Sequence, residues 1–267
     1  MRGMLTAAAL VAATSVAVAQ DKQLLWGDTH LHTSNSFDAI TIGNTSIGPA
    51  EAYRYASGLP VVHPYHGARV QIDTPLDFLV VSDHAEFMGV VKHVYEDWVP
   101  TEGMGVIDTL YAWVSALVIK AGVDSSWGPL LFGSRLPDGE DPKAAAERVQ
   151  REGFKMGGIP PLPEVTRATW YDATAAADAA NAPGEFTALI GWEWSSNGGG
   201  ANLHRIVITD SGAEQAREYL PYSFLDSSFP EDLWAWLDET SAGTGADFIA
   251  IPHNSNISKG YMFDTQS

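Results

Sequence analysis

The sequence predicts an α/β fold with a largely parallel sheet or barrel, and three observations lead to that prediction. Short apolar runs recur along the chain, and each ends in polar or turn residues, as expected for buried strands. Helical segments lie between these runs, and such alternation favours parallel pairing. The chain has 267 residues, of which 45% are hydrophobic, so it can bury a sizeable core.

Taken in order, each element follows from the apolar pattern and the breakers around it. The predicted strands are apolar runs rich in β-branched or aromatic residues, at Leu24–Thr33, Leu76–Ser82, Phe186–Trp194, Leu203–Thr209 and Asp247–Ile251. The first predicted helix has Pro49 in its opening turn and Gly58 near its end. The helices span Pro49–Ala56, Glu86–Asp97, Ile107–Ala121, Asp141–Arg151, Glu164–Ala180 and Pro230–Thr240. Ile107–Ala121 is apolar on almost all sides, which predicts packing on both sides.

Residues 122–163 are rich in glycine and proline and show little periodicity. We interpret them as a lid-like excursion between strands. The sequence has no internal repeat and no convincing domain linker, so residues 20–267 are predicted to form one domain.

Residues 1–19 have the layout of a secretory signal peptide. Arg2 precedes an uncharged apolar run, and the small residues Ala17 and Ala19 mark a cleavage site. A permanent membrane anchor needs about 20 solidly apolar residues, and this run is shorter and diluted by Thr6 and Thr14. We therefore expect a periplasmic or secreted protein that is free of the membrane after cleavage.

The composition and the missing motifs exclude several classes of function. The formal net charge is −18, and such a surface repels phosphate backbones, so nucleic acid is not an expected partner. The chain has no cysteine, no Gly-x-Ser-x-Gly elbow, no Gly-x-Gly-x-x-Gly and no Walker loop. Metal chemistry is the class that remains, and the abundant carboxylates suit cations.

Histidines gather at the ends of the predicted strands. Five of the eight lie there, and in α/β folds such strand ends carry ligand-binding and catalytic groups; the five are His30, His32, His84, His204 and His253. The other three have no such position, and we expect them to be ordinary surface histidines; they are His63, His66 and His93.

Two further stretches support a metal site. His30 and His32 point to the same side of a strand and can face one ion, although this pair alone fits ordinary strand histidines equally well. Asp38 lies in the polar loop beyond the pair. The run "LDFLVVSDHAEF" ends in Asp83 and His84, and a metal offsets the cost of burying such groups.

The last two candidate functional residues are Glu193, a carboxylate, and Arg205, a guanidinium. Glu193 lies between Trp192 and Trp194, where it can act as a general acid or base with raised pKa, or bridge two cations. Strand alternation also permits Glu193 to face solvent while the tryptophans face the core. Arg205 follows His204 and can hold an oxyanion or a phosphate oxygen.

Together these motifs resemble a known family. "GDTHLHT" with Asp38, "PLDFLVVSDHAEF", "PGEFTALIGWEWSS", "NLHRIVI" and "IPHN" resemble the successive metal motifs of the polymerase-and-histidinol-phosphatase (PHP) superfamily, and more narrowly its DUF3604 branch. The resemblance runs from about Leu25 to Asn254. It implies a distorted (β/α)7 TIM-like barrel with two or three divalent ions, commonly zinc, manganese or iron, that activate water against a small phosphoester.

The resemblance also implies roles for residues. His30 and His32 would bind one ion, with Glu193 as a bridging carboxylate. Asp38 and His84 would serve another ion, and His204 and His253 would complete the cluster. Around the ions, Asp83, Glu193 and Arg205 are the expected catalytic groups.

One departure from the superfamily pattern leaves alternatives open. The late Asp-x-His motif is missing, and only five strands are readable, so we expect these residues to be the N-terminal part of a longer protein. The competing hypotheses are a non-catalytic exported module that binds metal or another ligand, and an α/β domain of other function whose histidines are core and surface residues.

Overall fold

The computed structural model describes residues 22–125, 141–152 and 158–263. The strands are β1 (Gly27–Leu31), β2 (Val61–Val62), β3 (Arg69–Val70), β4 (Phe78–Val81), β5 (Thr187–Trp194), β6 (Arg205–Thr209) and β7 (Phe248–Pro252). The helices are α1 (Phe37–Thr41), α2 (Pro49–Ala56), α3 (Val90–Glu96), α4 (Val106–Asp124), α5 (Pro142–Glu152), α6 (Pro163–Ala180), α7 (Ala213–Ala216) and α8 (Pro230–Thr244). All five predicted strands and all six predicted helices are present, whereas the β2–β3 hairpin, α1 and α7 were not predicted.

The five predicted strands form one mixed sheet in the order β1-β4-β5-β6-β7. β1, β4 and β5 are parallel neighbours, whereas β6 is antiparallel to both β5 and β7. Only residues 195–204 connect β5 to β6, and a parallel crossover needs a dozen residues or more. The short connection therefore reverses β6, and the prediction of a largely parallel sheet is wrong for this strand.

The sheet is strongly curled. Its edge strands β1 and β7 would lie roughly 19 Å apart in a flat sheet with strands about 4.8 Å apart. Nevertheless, the ring centroids of His30, on β1, and His253, just after β7, are 4.2 Å apart. The described residues thus form a half-barrel, and the prediction of a distorted (β/α)7 TIM-like barrel is wrong, because the sheet has five strands, mixed direction and unpaired edges.

The largest core cluster lies between the outer face of the sheet and the helices. Trp192 and Trp194 from β5 are fully buried there, together with Trp170 from α6 and Leu233 from α8. On the opposite, concave face, Val80, Ile206 and Ile208 form a small apolar cluster. Alternation along β5 therefore sends the tryptophans to the helices and Glu193 to the concave face.

Helix α3 begins four residues later than predicted. Phe87 has φ +54° and Gly89 has φ +73°, so the chain turns before the helix starts at Val90. A Cβ atom at Gly89 would lie 2.1 Å from Thr169 Oγ1 of α6, so only glycine allows this approach. The turn directs residues 83–86 toward the end of β5.

Within the described part of the chain, helix α4 packs on one side only, which corrects the prediction of packing on both sides. Ala112, Ala116 and Ile119 are buried, whereas Val106 and Ile107 are more than 80% exposed. Among the described residues, α4 is the one helix long and apolar enough to cross a membrane by length and composition, a test that core helices also pass.

Two predictions concern residues outside the described ranges. The signal peptide at residues 1–19 lies outside them entirely. The lid-like excursion at 122–163 lies partly outside them, at 126–140 and 153–157. Its described part includes the end of α4, all of α5 and the start of α6.

Candidate metal centre

Every side chain that the sequence identified as a metal ligand lies at one edge of the curled sheet, the edge that is formed by the ends of the strands. β1, β4, β5 and β7 all end at this edge, and the reversed β6 begins there. We call this set the histidine–carboxylate cluster, and it consists of His30, His32, Asp38, His84, Glu193, His204 and His253.

Glu193 is the centre of the cluster. Its side chain is 1% exposed, and each carboxylate oxygen faces a different pair of histidines. Oε2 lies 3.0 Å from His30 Nε2 and 2.8 Å from His32 Nε2. Oε1 lies 2.5 Å from His204 Nδ1 and 3.3 Å from His253 Nε2. The carboxylate therefore joins two histidine pairs, as a bridging ligand does.

Asp38 and His84 form the other side of the cluster. Asp38 Oδ2 lies 3.0 Å from His32 Nδ1 and 3.6 Å from His84 Nε2. Asp38 lies in α1, within the first turn, and its side chain is 45% exposed. His84 is buried at the end of β4, so this pair joins a solvent-facing carboxylate to an interior imidazole.

Asp83 fixes the loop before α1, the helix that carries Asp38. Its carboxylate accepts hydrogen bonds from the Thr33 backbone N–H at 2.6 Å and from the Thr33 hydroxyl at 2.7 Å. Burial raises the pKa of Asp83, and the Thr33 hydrogen bonds oppose that effect. Asp83 belongs to none of the groups of converging ligand atoms, so the structure places it behind the cluster.

The donor set fits a metal ion. Three groups of side chains each bring one ligand atom within 4.8 Å of the others; they are His30–His32–Glu193, His32–Asp38–His84 and Glu193–His204–His253. Ligands about 2.1 Å from one ion lie roughly 3.4 Å apart in tetrahedral geometry, so small shifts bring each group to that spacing. Imidazole and carboxylate donors suit zinc, manganese and iron. The cluster could therefore hold metal ions, and Glu193 and His32 are shared between groups.

The side chains of the cluster change one another's pKa values. Burial lowers the pKa of His32, but hydrogen bonds to Asp38 and Glu193 outweigh it and raise that pKa to about 9. Burial would raise the pKa of Glu193, but the neighbouring histidines hold it well below its usual range. Burial lowers the pKa of His204 despite its hydrogen bond to Glu193. Without an ion, protonated imidazoles therefore compensate the buried carboxylate.

Arg205 does not reach the cluster. It pairs in register with Trp194, whereas Glu193 pairs with Ile206, so Arg205 points to the helix side of the sheet. Its guanidinium donates to the carbonyl oxygens of Leu203 and Met262 and lies over the Trp234 ring. Burial lowers the pKa of Arg205 to about 10. The phosphate-holding position expected for Arg205 is therefore not available in this arrangement.

The three remaining histidines lie away from the cluster. His63 and His66 lie between β2 and β3 with ring centroids 4.8 Å apart, and His66 is exposed. His93 lies on α3, with Nδ1 3.6 Å from Asp97 Oδ2. None of them belongs to a group of converging ligand atoms among the described residues.

Sequence reasoning missed two polar side chains beside the cluster. Ser195 Oγ lies 2.5 Å from His84 Nδ1, and Asn197 Nδ2 lies 2.8 Å from His204 Nε2. Both follow Glu193 in the polar stretch "SSN" at the end of β5. That position was the signal, because strand-end residues next to a ligand can contact its neighbours.

Comparison with known proteins shows the family of the chain. A family model described as "Protein of unknown function (DUF3604)" matches residues 19–267. No curated protein and no solved structure matches the chain. Because the family model covers most of the sequence, the chain belongs to the DUF3604 family.

Proposed function

We propose that this protein is an exported metal-dependent hydrolase of the PHP type that acts on a small phosphoester. The observation that carries the proposal is the convergence of five histidines and two carboxylates from the ends of five strands and from helix α1 at one edge of the sheet. Structural histidines have no packing reason to converge on one buried carboxylate, whereas metal ligands must do so. The sequence of residues 1–19 supports export to the periplasm or beyond the cell.

Each residue of the cluster has a role in this proposal. His30, His32, His204 and His253 would hold ions on the two oxygens of Glu193, and Asp38 with His84 would hold a further ion. Bound divalent ions lower the pKa of water and stabilise the negative charge that develops on a phosphoester in the transition state. Glu193 fixes the spacing of its histidine partners, and the exposed Asp38 marks the side open to solvent and substrate.

The test compares two pairs of histidines. We expect His30→Ala with His32→Ala to lose at least one bound ion and to slow hydrolysis of p-nitrophenyl phosphate or its diester by roughly 100-fold or more, since ligand loss exceeds the usual cost of losing a supporting hydrogen bond. Metal content by elemental analysis and steady-state rates with zinc, manganese or iron are the measurements. His63→Ala with His66→Ala is the matched control, because that pair has similar ring spacing and lies outside the cluster.

A second candidate function is a metal- or ligand-binding module without catalysis. The observation that favours it is the orientation of Arg205, which leaves that cation on the opposite face of the sheet. A chain that binds two or more ions but hydrolyses neither ester with any of these metals would support this second function. Unchanged hydrolysis by the His30 and His32 variant would contradict the hydrolase.

A further inference from the structure

Glu86 is a buried carboxylate that the proposed metal ligation does not use. Its side chain is 1% exposed, and Oε1 accepts backbone N–H hydrogen bonds from Ser195 and Phe224, both at 3.0 Å. Oε2 has no hydrogen-bond partner and lies 3.7 Å from His84 Nδ1. Because an unsatisfied buried carboxylate oxygen is costly, its position beside an imidazole needs an explanation.

The two nitrogens of His84 face different surroundings. Nδ1 lies 2.5 Å from Ser195 Oγ and faces Glu86, whereas Nε2 lies 3.6 Å from Asp38 Oδ2. A separation of 3.6 Å is too long for a hydrogen bond. It is close to the roughly 3.4 Å between two tetrahedral ligands that each lie about 2.1 Å from a zinc ion. Nε2 is therefore the nitrogen placed for an ion.

Other contacts restrict how the His84 ring can turn. The Phe37 ring stacks on it, with centroids 4.6 Å apart and an angle of 24° between the planes. The His84 backbone N–H donates to Ser36 Oγ at 2.9 Å. The stacked Phe37 ring and the backbone hydrogen bond thus fix the orientation of the His84 ring. The groups around Nδ1 then determine which ring nitrogen carries the proton.

We propose that Glu86, acting with Ser195, is a positioning residue that keeps His84 Nδ1 protonated and presents Nε2 to an ion shared with Asp38. Glu86 Oε1 holds the Ser195 backbone, the His84 Nδ1–H donates to Ser195 Oγ, and the Ser195 hydroxyl donates to Glu193 Oε1 at 3.3 Å. Glu86 Oε2 adds a negative group beside that proton. Carboxylates behind metal-binding histidines fix the ring tautomer in this way. The inference rests on the metal centre of the proposed function and does not need hydrolysis.

Glu86→Gln tests the role with little change in shape. The two backbone N–H groups keep the glutamine oxygen at the Oε1 position, so its amide NH2 replaces Oε2 and faces His84 Nδ1. A donor there favours the tautomer protonated at Nε2, and a protonated Nε2 has no free lone pair to bind an ion. We expect the affinity for one of the bound zinc ions to fall about 10- to 100-fold. Zinc titration gives the affinity, and ¹⁵N-histidine NMR of the zinc-loaded chain gives the tautomer, which a merely structural role would not change.

Glu51→Gln is the matched control. Glu51 also accepts a backbone N–H hydrogen bond, from Gly48 at 3.1 Å, and lies outside the cluster, so the same loss of charge should leave zinc binding unchanged. Wild-type zinc affinity together with an unchanged His84 signal in Glu86→Gln would overturn the proposal. If that variant does not fold, the same NMR measurement on the zinc-loaded wild-type chain tests the proposal. A His84 protonated at Nε2 in that chain would contradict the proposed role. Zinc binding without hydrolysis contradicts only the hydrolase, so the two failures are distinguishable.

Discussion

Glu193 determines the electrostatics of the cluster. A fully buried carboxylate is costly unless it is paired, and here each oxygen has two imidazole partners. Removal of the carboxylate would take an ion-pair partner from four imidazoles, although His32 would keep Asp38 and His204 would keep Asn197. The same residue thus stabilises the metal-free state as an ion-pair centre and is suited to bridge ions when metal binds.

At the residue scale we predict that metal binding releases protons. The pKa of His32 is raised to about 9, so this ring carries a proton at about pH 7.5, whereas a metal ligand must be a neutral imidazole. Metal affinity should therefore rise with pH up to about 9, by roughly tenfold per pH unit for each proton released, and then level off. Calorimetric titration with zinc in two buffers of different ionisation enthalpy counts the protons. A heat that does not depend on the buffer would contradict this assignment.

The ligand residues could be predicted because strand ends meet at one edge, but their surroundings could not. His84 and His253 were predictable from the apolar runs before them. Arg205 was not, because neighbouring side chains on a strand point to opposite faces, so His204 and Arg205 cannot both reach the cluster, and the pairing of Arg205 with Trp194 decides that His204 does.

At the scale of elements, the reversal of β6 completes the cluster. The strand itself was predicted within two residues, whereas its direction depends on the short connection from β5. In the parallel orientation, His204 would begin its strand at the far edge of the sheet. The reversal brings His204 to the edge where β5 and β7 end, which is why it meets Glu193.

Gly191 allows β5 to lie close to both neighbouring strands, and we predict that Gly191→Ala disturbs the cluster. A Cβ atom there would lie 2.6 Å from the Val207 carbonyl oxygen and 2.6 Å from Val80 Cγ1, so the strands must separate. We expect a loss of about 1 to 3 kcal/mol of unfolding free energy and weaker metal binding, because Glu193 follows two residues later. Chemical denaturation and zinc titration measure these effects.

The control for this substitution is Gly243→Ala in α8. An added Cβ at Gly243 meets no atom within 4 Å, and alanine favours a helix over glycine by about 1 kcal/mol. This variant should be as stable as the wild type or slightly more so, with unchanged zinc binding. Equal behaviour of the two variants would show that the packing around Gly191 does not constrain the site.

At the scale of the whole molecule, the half-barrel explains how two edge strands share one site. The resemblance to the PHP superfamily implied a closed barrel, and the five apolar runs predicted the strands but not how the sheet curls into a half-barrel. Curling is a property of the complete sheet, since it depends on the twist between each pair of strands. It brings His30 and His253 into ring contact although three strands lie between β1 and β7.

This arrangement predicts that metal removal loosens the edge strands β1 and β7. Ions held by His30, Glu193 and His253 would tie β1 to β7 across the open side, where no backbone hydrogen bonds join these strands. Free metal at 100 times its Kd stabilises the folded state by about 2.7 kcal/mol, which corresponds to a Tm increase of roughly 5 to 10 °C for a chain of this size. Chelation should reverse that increase and speed amide hydrogen exchange in β1 and β7 more than in α6, which contributes no ligand. A Tm that does not respond to chelation, or slower exchange spread evenly over the described residues upon metal binding, would show that metal does not join the two edges.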